Sequence, residues 1–151
     1  MAIIGPGPRT ALYPWVDESV TLAGYVDDLQ PWHRRARVVC CPIYHGAGTR
    51  VKIIEGAARA KAIVSTRLGA EGLDFEYERE IILRAAPAEI AAACVCLLSD
   101  SDAAARLGRA ALQKARCSYE RGVVVQRLAD IFCVGRAHGG LKRPDEMGHA
   151  S

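Results

Sequence analysis

The chain has 151 residues, half of them apolar and a quarter charged, with a net charge of +3. That is one domain's worth of globular sequence, long enough to bury roughly two-thirds of its unfolded surface. The slight, scattered charge excludes the basic block that tracks a nucleic-acid backbone, no run approaches the ~18 apolar residues of a membrane span, and no signal peptide opens the chain. Either a cytoplasmic location is expected or the targeting belongs to a missing part.

Short apolar runs alternate with longer helical patterns. Ala2 to Ile4, Val20 to Gly24, Arg37 to Ile43, Ala62 to Thr66 and Glu80 to Ala85 are the expected strands. The central runs lack polar alternation, as strands covered on both faces do. Between Gly48 and Lys61 a helix of about three turns is expected, the crossover joining two parallel strands. Pro87 with Glu89 opens a second helix ending near Leu98, the Ser99-Asp100-Ser101 cluster caps a third running toward Arg116, and a fourth spans about Tyr119 to Val134. Residues 135–151 show no periodicity and read as a disordered tail, leaving 1–134 as one domain. The sum is an α/β fold: a Rossmann-like, doubly wound, mostly parallel sheet with C-terminal helices. Such sheets bind ligands at the carboxyl ends of their strands, where His45 to Arg50 should lie.

Six cysteines raise the question of metal or disulfides. Cys40 and Cys41 are adjacent on an expected strand and point to opposite faces; Cys94 and Cys96 diverge on a helix. None of the zinc spacings is present, so reduced structural thiols and no metal are expected.

The stretch IYHGAGTRVKIIEGAARAKAIVST, Ile43 to Thr66, carries the chemistry. At about 100° per residue, Val51, Ile53, Ile54, Ala57 and Ala58 share a broad apolar arc and Lys52, Glu55 and Arg59 the opposite one. A plain surface helix with Lys52–Glu55 and Glu55–Arg59 pairs accounts for the second half. It does not account for Arg50, which falls inside the apolar arc. Gly46 and Gly48 flank Ala47 where the backbone can approach a ligand closely, and the helix start offers amides and positive charge. With Arg50 and Lys52, this end suits a phosphate, although no Walker Gly-Lys-Ser/Thr follows. Glu55 cannot bind phosphate but can accept two hydrogen bonds from a vicinal diol such as ribose. The bare pattern leaves nucleotide binding and a capped surface helix both open.

The segment GAGTRVKIIEGAARAKAIVSTRLGAEGLD resembles the donor-binding domain of the GT-B nucleotide-sugar glycosyltransferases of the family 4 type. Those proteins carry Gly-x-Gly-x-Arg-x-Lys-x-x-Glu-Ala, then a strand ending in Ser-Thr, then Gly-x-Glu-Gly-Leu. VTLAGYVDDLQPWHRRARVVCCP upstream and LLSDSDAAARLGRAALQKARCSYERGVVVQRLADIF downstream extend the resemblance over roughly Ile3 to Phe132. The wording is similar to transferases of bacterial exopolysaccharide and capsule assembly. The resemblance implies that Arg50 and Lys52 contact the donor diphosphate, that Glu55 holds the ribose hydroxyls, and that His45, Gly46, Gly48 and Thr49 lie against phosphate and sugar. It places Gly24, Tyr25 and Val26 near the base. It implies a UDP- or GDP-sugar donor, no bound metal, and hexose transfer to a glycan or lipid-linked acceptor with retention of configuration.

Two departures stand out. One widespread version of the family has a glutamate eight positions before the one matching Glu55; here Ala47 stands there. His45 then either contributes to the site or is only a hydrogen-bonded loop residue. The family's N-terminal acceptor-binding domain, and a strand and helix before Ala2 to Ile4, are absent, so the chain alone is expected to be an inactive donor-binding half that needs a partner domain or subunit, through which any contact with the inner membrane would come. A face left bare in this way should be unusually apolar. The turn Gly69 to Gly72 borders the donor site by the same resemblance. Trp15 and Trp32 read as packing residues. A dinucleotide-dependent oxidoreductase, suggested by IIGPGPRT, is disfavoured because Thr10 replaces the third glycine and Pro6 and Pro8 remove amide donors. The remaining alternative is a non-enzymatic Rossmann-like interaction or regulatory module.

Overall fold

A computed structural model of the chain describes residues 1–5, 14, 16–46 and 50–138, of which 133–138 by backbone alone. Pro6, Pro8, Thr10, Trp15, Ala47, Gly48, Thr49 and the end of the expected tail lie outside the described residues. The chain divides into two compact units, Met1–Ala36 and Arg37–Ser151.

In the first unit, β1 (Ala2–Ile4) pairs in parallel with β2 (Thr21–Gly24), with Ala2 opposite Thr21 and a shift of register between Ile3 and Ile4. The Gly5 amide continues the ladder to the Gly24 carbonyl at 2.8 Å. Helix α1 (Gln30–Arg35) starts where Asp28 Oδ1 accepts from the Gln30 amide at 2.8 Å, and Pro31 fits its first turn, where no donor is needed. Among the described residues of this unit none is fully buried.

The second unit holds the core. Its sheet has the order β3 (Val38–Cys41), β4 (Ala62–Ser65), β5 (Ile82–Leu83), all parallel. Helix α2 (Val51–Ala58) is the crossover from β3 to β4, and α3 (Pro87–Ser99), α4 (Ser101–Tyr119) and α5 (Arg121–His138) follow. Successive strand residues enter opposite cores, which is why the runs read as continuously apolar. Cys41 and Ile63 pack with Ile53 and Ala57 of α2, Phe75, and Ala111 and Ala115 of α4. Ala62 and Val64 pack with Ile90, Ala93 and Leu97 of α3 and Ala104 and Leu107 of α4.

Helix α4 thus begins against one face and ends against the other. It passes the α2–β4 turn at Gly108, where a Cβ would lie 2.2 Å from the Ala60 carbonyl oxygen. That turn is a Schellman closure: Lys61 N–H donates to Gly56 O at 3.0 Å and Ala60 N–H to Ala57 O at 2.9 Å, with Ala60 at φ +54° in the left-handed position usually given to glycine. The closure holds α2 to 8 residues, short of the three turns expected.

The caps follow the sequence. Asp100 Oδ1 accepts from Asp102 and Ala103 amides at 3.0 and 2.8 Å to start α4, and Glu89 reaches back to the Ala86 amide at 3.1 Å to start α3. The run Glu80 to Ala85 gives only two ladder residues, because a turn closed by Glu80 N–H to Glu76 O (2.9 Å), with Glu78 at φ +64°, occupies the chain just before it. Helix α5 runs to His138, past the expected end at Val134, and leaves Val124, Val125, Leu128, Ile131 and Phe132 exposed.

Candidate functional site

Parallel neighbours release their following loops at the same end, so the segments after β3 and β4 meet beside the start of α2. Side chains lace them together. Ser65 Oγ donates to Cys41 O at 2.9 Å, Thr66 Oγ1 donates to Ile43 O, and the Gly69 amide donates to Thr66 Oγ1 at 2.9 Å. Gly69 admits no side chain, since a Cβ would stand 2.3 Å from Ser65 Oγ. Cys41, Ser65 and Thr66 are buried, so this is a rigid platform rather than a loose loop pair.

Into this end comes Arg50. Its carbonyl accepts the Ile53 amide at 3.0 Å, making it the residue from which α2 starts. The side chain is 9% exposed, as its place on the apolar arc foretold, and its Nη2 lies 3.3 Å from Glu71 Oε2. Glu71 itself is 70% exposed. Lys52, one step along the helix, is exposed, and its positive charge acts on the Cys41 thiol. Burial raises Cys41 to about 11, and Lys52 opposes only part of that rise, so the thiol stays protonated.

Glu55 is half-buried on the same helix as Arg50 and Lys52. The expected pairs of Glu55 with Lys52 and Arg59 do not form among the described residues. Arg59 Nη1 instead donates to the Glu55 carbonyl at 3.1 Å, because the last turn leaves carbonyls in need of donors. The Glu55 carboxylate thus has no ion-pair partner among the described residues. Val51 and Ala58, expected on the buried arc, are exposed; Ile53 and Ala57 carry the packing.

His45 and Gly46 are exposed in the segment leading to α2, and Gly46 has φ +105° with open space where a Cβ would be. Gly48 and Thr49 lie outside the described residues. Gly24, at φ +70°, ends β2 in the first unit, and the exposed Tyr25 and the half-buried Val26 follow it. Arg50, Lys52 and Glu55, with His45 and Gly46 before them, are thus brought to one strand end. The turn Gly69 to Gly72 was expected beside the site, but the contact of Glu71 with Arg50 was not foreseen. The signal for it was present: two parallel strands joined by one crossover put the GAEG turn beside the arginine.

No helix among the described residues is long and apolar enough to cross a membrane. A parallel α/β layer with its loops gathered at the carboxyl ends is the Rossmann-like architecture of half a GT-B enzyme. Solved structures share it: Anabaena HepE in complex with UDP and glucose (TM-score 0.75, 15% identity, 87% of this chain and 39% of that one). The C-terminal domain of the group 1 glycosyl transferase LpcC from Francisella tularensis aligns at TM-score 0.64 and 19% identity over 75% of this chain and 60% of that one. Sucrose-phosphate synthase from Thermosynechococcus elongatus aligns at 0.74 and 17% identity over 91% and 39%. At these identities the likeness is one of fold, and the chain spans about two-fifths of the length of HepE and of the synthase. No curated protein sequence matches the chain. The family model for glycosyl transferases group 1 matches residues 1–100, which include the whole Ile43 to Gly72 region. The chain belongs to that family.

Proposed function

We propose that this chain is the donor-binding half of a glycosyltransferase that moves a hexose from a UDP- or GDP-sugar to a glycan or lipid-linked acceptor. The observation carrying this reading is the pairing on one short helix of a buried arginine at its start and a carboxylate, Glu55, that makes no ion pair among the described residues. In this reading the Arg50 guanidinium and the Lys52 ammonium hold the diphosphate, with amides at the start of α2 and around Gly46, Gly48 and Thr49 as further donors. Glu55 accepts hydrogen bonds from the ribose diol. His45 borders the sugar. HepE's complex with UDP and glucose supports the ligand class.

Chemically, the leaving group is a nucleoside diphosphate whose negative charge grows as the glycosidic bond breaks. Fixed cations and a helix end placed there stabilise that charge without a metal ion. Retention of configuration, an acceptor-binding partner domain or subunit, little activity by the isolated chain, a cytoplasmic site of action peripheral to the inner membrane through that partner, and a role in exopolysaccharide or capsule assembly belong to the same proposal. In it, the nucleotide-sugar domain runs through α5 to His138, four residues past the expected boundary, and a tail follows.

Calorimetric titration of the folded chain with UDP and GDP, without metal, beside Arg50→Ala and Glu55→Ala tests it. Saturable binding weakened by both substitutions is expected, and the preferred nucleotide names the base. A folded chain that binds neither nucleotide overturns the reading and leaves an interaction module.

A further inference from the structure

Glu71 lies in the turn after β4, between Gly69 and Gly72. Its carboxylate is mostly in water, yet one oxygen rests 3.3 Å from the Nη2 of Arg50, whose own side chain is nine-tenths buried. The asymmetry decides which partner moves. Arg50 is fixed by packing at the start of α2, whereas Glu71 is a surface side chain on a turn whose Gly72 takes φ +78°. The 3.3 Å contact to this exposed carboxylate is weak and readily exchanged. A diphosphate offers several oxygens and at least two charges to the same guanidinium, in the bidentate geometry arginine favours.

We propose that Glu71 is an internal stand-in for the donor diphosphate: it pairs with Arg50 until a nucleoside diphosphate binds and displaces it. This rests on the donor-site reading above. The exchange has two consequences. It keeps the buried guanidinium compensated when no donor is bound, and it lowers by one common factor the apparent affinity of every anion that must displace it. Glu71 is a positioning residue and touches no reacting atom.

The test is calorimetry on the full chain with UDP, GDP and inorganic pyrophosphate as probes, for the unsubstituted protein, Glu71→Gln, Glu71→Asp, Arg50→Gln and the Arg50→Gln, Glu71→Gln double variant. Removing the competing charge is expected to tighten UDP and pyrophosphate about twofold to fivefold, the range of an exposed ion pair. Glu71→Asp, which keeps the charge but draws it back, is expected to fall between. The gain should vanish when Arg50 is already Gln, a coupling that a merely structural role for Glu71 would not produce. Since Glu71 is exposed, its variants keep their far-UV circular dichroism. Unchanged or weaker binding by folded Glu71→Gln, with the unsubstituted chain binding UDP or GDP, overturns this inference and leaves the donor site standing. Absence of nucleotide binding in the unsubstituted chain and in both Glu71 variants overturns the donor reading and this inference with it.

Discussion

Gly108→Ala should destabilise the protein even though it replaces a poor helix former with the best one. A methyl at Gly108 would stand 2.2 Å from the Ala60 carbonyl oxygen and 2.8 Å from the Ala60 carbonyl carbon, more than 1 Å inside ordinary contact to the oxygen. Both atoms are backbone, held by the paired Schellman hydrogen bonds, so no side chain can swing aside. Helix α4 must lift instead, and it anchors Leu107 in one core and Ala111 in the other. Overpacking of this kind costs about 1–3 kcal/mol, and the upper half applies where backbone is the obstacle. Helix propensity returns about 1 kcal/mol. The net expectation is a loss of about 1–2 kcal/mol, or a melting temperature lower by about 3–8 °C for a chain of this size. Thermal and urea unfolding followed by circular dichroism measure it. Ala60→Gly in the same assay should be neutral or gain about 0.5 kcal/mol by relieving a left-handed alanine. A Gly108→Ala variant as stable as the parent, or more so, would mean that α4 does not cross the turn at this distance.

Other outcomes follow from local chemistry. Tyr119→Phe keeps the stacking on Phe75, at 5.5 Å between ring centroids, but leaves the Asp74 amide to water, so the loss should be no more than about 0.5–1.5 kcal/mol in the same unfolding assay. The hydrogen bond from Arg84 holds Glu78 below its usual 4.5, so its contribution to stability is present above that pH and fades as pH falls below it. The pair is largely in water, so the effect is small; Glu78→Gln should flatten the acid side of a stability-versus-pH curve and change little at neutral pH. Thiol alkylation read by mass spectrometry should find Cys96 and Cys117, which are exposed, well ahead of Cys41, whose burial raises it to about 11. Cys40 should also lag: although it keeps exposed surface, desolvation of its thiol and the neighbouring Cys94 push it up to about 12.

What could be read from the sequence was whatever depends on near neighbours. The unalternating strand runs gave a sheet covered on both faces, Asp100 and Glu89 gave helix starts, and the misplaced cation on an apolar arc gave a buried Arg50. What failed needed the fold. The Glu55 pairs were plausible from spacing alone, but Arg59 was drawn to a carbonyl at the end of a helix cut short by a turn at Ala60, an alanine where a glycine would have announced the stop. Arg50 and Glu71 are 21 residues apart and meet only because β3 and β4 are neighbours in register. Strand β5 shrank because the turn before it, closed by Glu76 and Glu80, carries no Gly or Pro to mark it.

The two cations of α2 look interchangeable in sequence and are not so in structure, which salt can reveal. Lys52 is exposed, so its attraction for a diphosphate acts through water and is screened; the Debye length shrinks from about 10 Å at 0.1 M to about 3 Å at 1 M salt. Arg50 is nine-tenths buried, so if it holds the diphosphate as proposed, hydrogen-bond geometry rather than long-range field governs its contribution. Lys52→Ala should therefore weaken UDP binding about twofold to fivefold at low salt and hardly at all near 1 M, with no change in melting temperature. Arg50→Ala should weaken binding by a factor of ten or more, on the order of 1.5–3 kcal/mol for a charged hydrogen bond, at either salt concentration, and should also lower stability by emptying a packed position. Equal salt sensitivity of the two variants would place both cations in solvent and remove the distinction on which the reading of this helix end depends.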